Sequence, residues 1–108
     1  MKIAISSKTN SIESNVDPRF GRCPFFAIYD TESTKLEFLI NPGREAQGGA
    51  GPIATSFVAN QKAEKVFSGA FGAKINSLFD ELKIQMIVVT TETTIKDIIE
   101  KLKNNLKK

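Results

Sequence analysis

The fold of this chain is decided by one stretch, Asn41-Pro42-Gly43-Arg44-Glu45-Ala46-Gln47-Gly48-Gly49-Ala50-Gly51-Pro52. It contains four of the seven glycines and two of the four prolines. A strand-like run over residues 35–40 precedes it, and a helix-like run over residues 53–61 follows it. The pattern predicts a glycine-rich loop that enters a helix, with Pro52 at the first helical position, where its missing N–H costs nothing.

This loop has two interpretations. Free N–H groups at a helix start attract anions, and glycines let a ligand approach the backbone closely. Gly48, Gly49 and Gly51 are therefore candidates for an anion site. Alternatively, the glycines only make a flexible turn.

The rest of the chain predicts an α/β fold of order β-β-β-α-β-α-β-α. The later strand-like runs, residues 65–69 and 84–90, alternate with helix-like runs, which implies parallel pairing. A four-residue link, residues 31–34, joins the second and third strand-like runs and fits an antiparallel hairpin. We therefore predict one domain over residues 1–108, a mixed five-stranded sheet flanked by helices.

Composition narrows the function classes. The 108 residues are 41% hydrophobic and 25% charged, with a net charge of +3, which is ordinary for a globular domain. No apolar run approaches the roughly 18 residues of a spanning helix, so we expect a cytoplasmic protein without a membrane partner. Histidine is absent, which excludes a His-dependent triad and a zinc site that uses His.

Lysines concentrate in the last helix and the tail. Such a cluster is typical of a solvated helix face that complements the helix C-terminus, so we expect no nucleic-acid partner. The lysines concerned are Lys96, Lys101, Lys103, Lys107 and Lys108.

All three arginines lie in two long loops. Arg19 and Arg22 belong to a polar segment, residues 7–23, and Arg44 belongs to the glycine-rich loop. Arginine offers a rigid, always-charged fork suited to anions. If the first and third strands end close together, the three arginines line one anion pocket. Alternatively, Arg22 and Arg44 only pair with nearby acids, Asp17, Asp30 or Glu45, and brace the loops.

The single cysteine, Cys23, also has two interpretations. A neighbouring arginine would lower the pKa of its thiol and favour the thiolate. Alternatively, it is a small buried apolar residue at the start of a strand. One cysteine cannot hold an iron–sulfur cluster alone, so a cluster would be shared between chains or carry its own ligands. We find no nucleophile–base pair and predict no enzyme activity.

Three segments of the chain resemble the signatures of one known family. The first, Arg19-Phe20-Gly21-Arg22-Cys23-Pro24-Phe25-Phe26, resembles the FGR-x-x-x-F motif of the dinitrogenase iron–molybdenum cofactor biosynthesis domain family. Asn41-Pro42 followed by Gly48-Gly49-Ala50-Gly51 resembles a second signature, and Ser68-Gly69 with Gly72-Ala73 fits a third. Together they span essentially the whole chain in the family's order.

The resemblance implies a ribonuclease H-like fold with an antiparallel second strand, and a non-enzymatic carrier role. The implied ligand is an iron–sulfur or iron–molybdenum cluster precursor, bound transiently, with cofactor-assembly proteins as partners. Many relatives have a histidine where this chain has Arg19. Because the chain contains no histidine at any position, imidazole ligation is impossible here. The predicted site comprises Arg19, Phe20, Gly21, Arg22, Cys23, Arg44, Gly48, Gly49 and Gly51, with Cys23 as the metal ligand.

Two other functions remain open. A binding module for another small anion or for a protein partner would use the same loops and arginines. A ribonuclease H-type nuclease needs clustered carboxylates, and the first predicted strand, residues 2–6, contains none. We expect a monomer or a weak homodimer, since Cys23 from each of two chains could share a cluster.

Overall fold

Residues rich in β-branched and aromatic side chains form the five strands of one mixed sheet, as predicted. The computed structural model describes residues 1–106. The strands are β1 (Lys2–Ser7), β2 (Phe25–Asp30), β3 (Leu36–Ile40), β4 (Ala63–Ser68) and β5 (Gln85–Val88). The helices are α1 (Ala50–Asn60), α2 (Ile75–Leu82) and α3 (Ile95–Leu106).

The sheet has the spatial order β3-β2-β1-β4-β5. β2 runs antiparallel to both of its neighbours, whereas β1, β4 and β5 are parallel to one another. The mixed α/β sheet predicted from the sequence is therefore confirmed.

Both faces of the sheet are buried at its centre, in β1 and β2. Successive residues of a strand point to opposite faces, so in β1 Ala4 packs with the helices α1 and α2 whereas Ile3 and Ile5 pack with α3. The four central residues of β2 are all buried. The result is a three-layer arrangement with a hydrophobic core on each side of the sheet.

The functional loops gather at one edge of the sheet. The parallel strands β1, β4 and β5 end here, and β2 begins here because it runs in the opposite direction. Residues 8–24, 41–49 and 69–74 form loops at this edge. Ligands of open α/β sheets bind outside the carboxyl ends of the strands, so this edge is where a site is expected.

Helix α1 begins at Ala50, so the prediction that Pro52 is the first helical residue was wrong. Gly49 is the N-cap in a left-handed conformation, with φ 68°, which glycine adopts without a steric penalty. Pro52 is consequently the third helical residue. It is tolerated there because the first N–H groups of a helix have no intrahelical partner.

The lysines of the last helix lie where the sequence placed them. Lys96, Lys101 and Lys103 are exposed on α3, whereas the predictions for Lys107 and Lys108 fall outside the described residues. Within residues 1–106, no helix is both long and apolar enough to cross a membrane.

The long segment 8–24 is held to the body of the protein at several points. Val16 and Phe20 are buried, and the Val16 N–H donates to the Thr93 carbonyl at 2.9 Å.

The start of α3 is fixed by a reciprocal pair of hydrogen bonds. The Thr94 N–H donates to Asp97 Oδ2 at 3.1 Å, and the Asp97 N–H donates to Thr94 Oγ1 at 3.1 Å. This is a capping box, and it identifies Thr94 as the cap.

We expect the Thr94→Ala substitution to lower the free energy of unfolding by about 1 kcal/mol, because the Asp97 N–H loses its acceptor. Urea denaturation measures the change. Thr93→Ala is the matched control, since the Thr93 hydroxyl contacts only Thr90 Oγ1, at 3.0 Å on the exposed surface. An equal loss in both variants would contradict the role of Thr94 as the cap.

Candidate functional site

The FGR segment and the glycine-rich loop are packed directly against each other. A Cβ at Gly21 would lie 3.0 Å from the Gly51 nitrogen. A Cβ at Gly43 would lie 2.8 Å from the Ala50 carbonyl oxygen and 3.0 Å from that of Gly21. Close approach of the backbone therefore favours glycine at both positions, most strongly at Gly43, where any Cβ would force a backbone shift.

The glycines Gly48 and Gly49 behave differently. A Cβ at either position would meet nothing within 4 Å. Gly49 is needed for its left-handed φ, and Gly48 is exposed. Of the glycines predicted for the site, Gly21 and Gly51 are brought together, whereas Gly48 and Gly49 lie outside their contact.

A buried asparagine, Asn41, connects these segments. Its Nδ2 donates to the carbonyl oxygens of Gly21, at 2.9 Å, and Cys23, at 3.0 Å. Its Oδ1 accepts from the Gly43 N–H at 2.9 Å. The sequence analysis treated Asn41 only as part of a signature. Its side chain is polar in a turn-forming context, and nothing local indicates partners about twenty residues upstream.

Phe20 anchors the FGR segment in the core. Its ring centroid lies 5.5 Å from that of Phe26, 5.3 Å from Phe71 and 5.4 Å from Phe79. Aromatic pairs at these separations pack favourably beyond their buried area. Phe20 is 2% exposed, so it fixes the backbone from which the two neighbouring arginines project.

Arg19 is paired with a buried carboxylate. Asp17 Oδ1 accepts from the Arg19 backbone N–H at 2.8 Å and from Nε at 3.2 Å, and Oδ2 accepts from Nη2 at 3.2 Å. The hydrogen bond with Asp17, followed by its charge, raises the pKa of Arg19. The Arg19 side chain remains 61% exposed, so part of its guanidinium faces solvent.

The other two arginines have different surroundings. Arg22 Nη1 donates to the Ala46 carbonyl at 2.7 Å, which ties the FGR segment to the glycine-rich loop. Arg44 Nη2 lies 3.8 Å from Glu45 Oε1, the pairing that the alternative interpretation predicted for it.

A cleft of about 420 Å³ opens where these segments meet. Among the described residues that line it, Arg19 and Arg22 are the charged ones and neither Asp nor Glu is present. The first turn of α1 opens onto it without a side-chain cap, as does the start of α2. The lining residues are Pro18, Arg19, Phe20, Gly21, Arg22, Ala50, Gly51, Ala70, Phe71, Gly72 and Ile75. Arg44, Gly48, Gly49 and Cys23 are not among them.

Cys23 lies beneath the loop, in the core. It is fully buried, and its Sγ lies 3.5 Å from the Phe20 carbonyl oxygen and 3.7 Å from Asn41 Nδ2. Burial, together with the charge of Asp17, raises the pKa of the Cys23 thiol to about 12. The thiol is therefore protonated at neutral pH, and its role as a metal ligand stays a prediction.

The groups that line the cleft are chemically suited to a negatively charged ligand. Within residues 1–106, no three His, Cys, Asp or Glu side chains come together as a set that could hold a metal ion. The cleft offers guanidinium groups, helix-start amides and an apolar wall instead. Such groups bind negative charge and do not coordinate a cation.

Comparison with known families supports the sequence-based assignment. The family described as dinitrogenase iron-molybdenum cofactor matches residues 1–105 of this chain. The chain belongs to this family. An uncharacterized protein of Methanocaldococcus jannaschii is 30% identical over 94 residues, which cover 84% of this chain and 76% of the relative.

Solved structures share the fold at lower sequence identity. The apo form of the orange protein from Desulfovibrio gigas has a TM-score of 0.87 at 23% identity, and the match covers 96% of this chain and 88% of that one. A NifB-like protein from Thermotoga has a TM-score of 0.79 at 24% identity, with 95% and 87% covered. At these identities the likeness establishes the fold alone.

The raised pKa of Cys23 predicts a loss of stability at alkaline pH. Between its ordinary value of 9.0 and about 12 the folded state keeps the thiol proton and the unfolded state loses it. The free energy of unfolding therefore falls as pH rises, by up to about 1.4 kcal/mol per pH unit. Urea denaturation between pH 8 and pH 10.5 measures the slope. In Cys23→Ala this contribution should be absent, and identical slopes would contradict a buried neutral thiol.

Proposed function

We propose that this protein is a non-enzymatic carrier of an anionic iron–sulfur or iron–molybdenum cluster precursor. The cargo binds in the cleft lined by Arg19, Arg22 and the first turn of α1. Membership of the dinitrogenase iron-molybdenum cofactor family supports the class of cargo. The solved orange protein structure is that of an apo form, which fits a fold that takes up and releases a ligand.

The observation that carries the proposal is the charge of the cleft. Two arginines line it, of which Arg19 is paired with the buried Asp17, and no acidic side chain is among the described lining residues. An uncapped helix start also faces the cleft. The N-terminus of a helix carries about half a positive charge, which adds to the charge of the guanidinium groups. This combination favours a ligand with more than one negative charge.

Each arginine keeps donors available for the cargo. Asp17 occupies Nε and Nη2 of Arg19, and the Ala46 carbonyl occupies Nη1 of Arg22. A guanidinium has five N–H donors, so both groups are held in place while other donors remain for a ligand. Phe71 and Ile75 supply an apolar wall, which lowers the local dielectric and strengthens these contacts.

In this proposal the cluster brings its own ligands. The buried Cys23 thiol would bind metal only after the loop above it opens, because it does not line the cleft. We therefore place Arg19, Arg22 and Gly51 at the centre of the site and Phe20 and Gly21 in support. We place Arg44, Gly48, Gly49 and Cys23 outside it.

The remaining predictions concern the fold label, nuclease activity, location and oligomeric state. A sheet whose second strand alone runs antiparallel fits the ribonuclease H-like label, and we assign the fold to that class. The sequence-based expectation that the chain is not a nuclease stays a prediction. Cytoplasmic location and monomeric or weakly dimeric state remain predictions.

Anaerobic binding of a synthetic, anionic iron–molybdenum–sulfur cluster that carries its own thiolate ligands tests the proposal. Iron and molybdenum retained per chain are measured after gel filtration. We expect the wild type to retain the cluster, and Arg22→Glu to weaken binding by at least about a hundredfold, because a charge-assisted contact is replaced by repulsion. Arg22→Gln and Arg19→Gln should each weaken it by about tenfold.

Lys62→Glu is the matched control. It changes the net charge by the same amount as Arg22→Glu, and it lies exposed in the turn before β4, at the opposite end of the sheet. Binding should be unchanged in Lys62→Glu. If Lys62→Glu and Arg22→Glu weaken binding equally, the effect is one of net charge and the cleft is not the site. Cys23→Ser should retain metal as the wild type does, and loss of metal would return Cys23 to the ligand set.

A second candidate function is the binding of another small anion, because the described residues hold no chelating set that would select a metal cluster. A site made of guanidinium and amide donors accepts any small anion of suitable size, including phosphorylated or carboxylated molecules. Competition by inorganic phosphate against the synthetic cluster separates the two. Displacement by phosphate at comparable concentration would favour the general anion site over the cluster carrier.

A further inference from the structure

We infer that Asn41 is the positioning residue of this site: its side-chain amide closes the FGR segment onto the first turn of α1. The inference deepens the proposed function and rests on it for the consequence for anion binding. The closure itself is argued from contacts that do not depend on the ligand.

Both polar atoms of the Asn41 side-chain amide have hydrogen-bond partners. Its two N–H groups donate to the carbonyl oxygens of Gly21 and Cys23, and its oxygen accepts from the Gly43 N–H. Its backbone N–H also donates to the Pro24 carbonyl at 3.1 Å, and its carbonyl accepts from the Arg44 N–H at 3.2 Å. The residue is 0% exposed, so water cannot replace these partners.

Only asparagine satisfies this position. Aspartate has the same shape but, when ionised, no donor for the two carbonyls, and leucine has neither donor nor acceptor. Glutamine is longer by a methylene group at a site that is fully enclosed. A buried carbonyl left without its donor is costly, so removal of the amide should let the loop open toward water.

Loop opening would separate the parts of the cleft. Gly21 and Gly43 lie closer to the backbone of the first turn of α1 than a residue with a side chain ordinarily could. A Cβ at either position would be 3.0 Å or less from a backbone atom of Gly51 or Ala50. Arg22 follows directly after Gly21, and its side chain reaches the loop that Asn41 begins. Asn41 thus fixes the distance between the Arg22 guanidinium and the α1 amides without contacting the cleft itself.

The buried thiol provides a reporter for this closure that is independent of any ligand. Cys23 Sγ lies 3.7 Å from Asn41 Nδ2, beneath the segment that the amide holds. When the segment opens, the thiol becomes accessible to iodoacetamide while the rest of the protein stays folded. Its modification rate therefore measures local opening.

The experiment compares Asn41→Ala with Ile98→Ala. Ile98 is 4% exposed in the core on the opposite face of the sheet, so its truncation lowers stability without removing a hydrogen bond of Asn41. Asn41→Asp, which preserves volume, is the second variant should Asn41→Ala fold poorly. Each variant is assayed at a fixed interval below its own Tm, for Cys23 alkylation by mass spectrometry and for binding of the synthetic iron–molybdenum–sulfur cluster.

We expect Cys23 in Asn41→Ala to be alkylated at least about tenfold faster than in Ile98→Ala, and the Kd for the cluster to rise about tenfold. The Ile98→Ala variant should bind as the wild type does. If the Asn41 and Ile98 variants behave alike in both measurements, Asn41 has only an ordinary structural role and the inference is overturned. If the wild type does not bind the cluster, the proposed function fails, and the alkylation comparison still decides whether Asn41 closes the loop.

Discussion

The contact between Gly21 and the first turn of α1 is the constraint on which the rest of the structure depends. It joins the FGR segment to a helix that lies far from it in the sequence, and a side chain at Gly21 would force the neighbouring backbone of Ala50 and Gly51 to shift. Next to this contact, Phe20 packs against three aromatic rings. The Asn41 side chain donates hydrogen bonds to the backbone carbonyls of Gly21 and Cys23. Apolar packing and polar satisfaction therefore fix the same segment from two sides, so that the start of α1 and the FGR segment form one unit.

Much of the fold follows from local features of the sequence. Short apolar runs alternate along the chain with segments whose apolar residues have helical spacing. This pattern predicts an α/β sheet, because a strand buried on both faces and an amphipathic helix have different periodicities. The glycine-rich loop and the placement of Arg19 and Arg22 are also visible locally. The start of α1 was misplaced because the proline rule favours the first position, whereas the left-handed Gly49 sets the boundary here.

The arrangement within the site was less predictable, because it depends on partners distant in the sequence. Arg44 lies in the right loop but pairs with Glu45, outside the cleft. For Cys23 the sequence left open an activated thiol and a buried apolar residue, and the structure confirms the second, since burial raises the pKa of the thiol. Asn41 was missed since a buried amide and a turn-forming amide look the same in sequence, and only the fold supplies its partners at Gly21 and Cys23.

A site built from guanidinium groups and backbone amides has consequences for transfer in the proposed function. A protein that coordinates a metal directly must break metal–ligand bonds to release it, and its affinity depends on deprotonating those ligands. Arg19 and Arg22 would instead contact the outer surface of an anionic cluster, so that release requires only exchange of hydrogen bonds and charge. A partner's thiolate or imidazole could then withdraw the cluster by displacing one of the ligands that the cluster carries, which leaves into solvent, while no metal–ligand bond to this chain has to break. In this view the chain gives up its cargo readily, because it has no histidine to bind the metal and its buried Cys23 thiol keeps its proton at neutral pH.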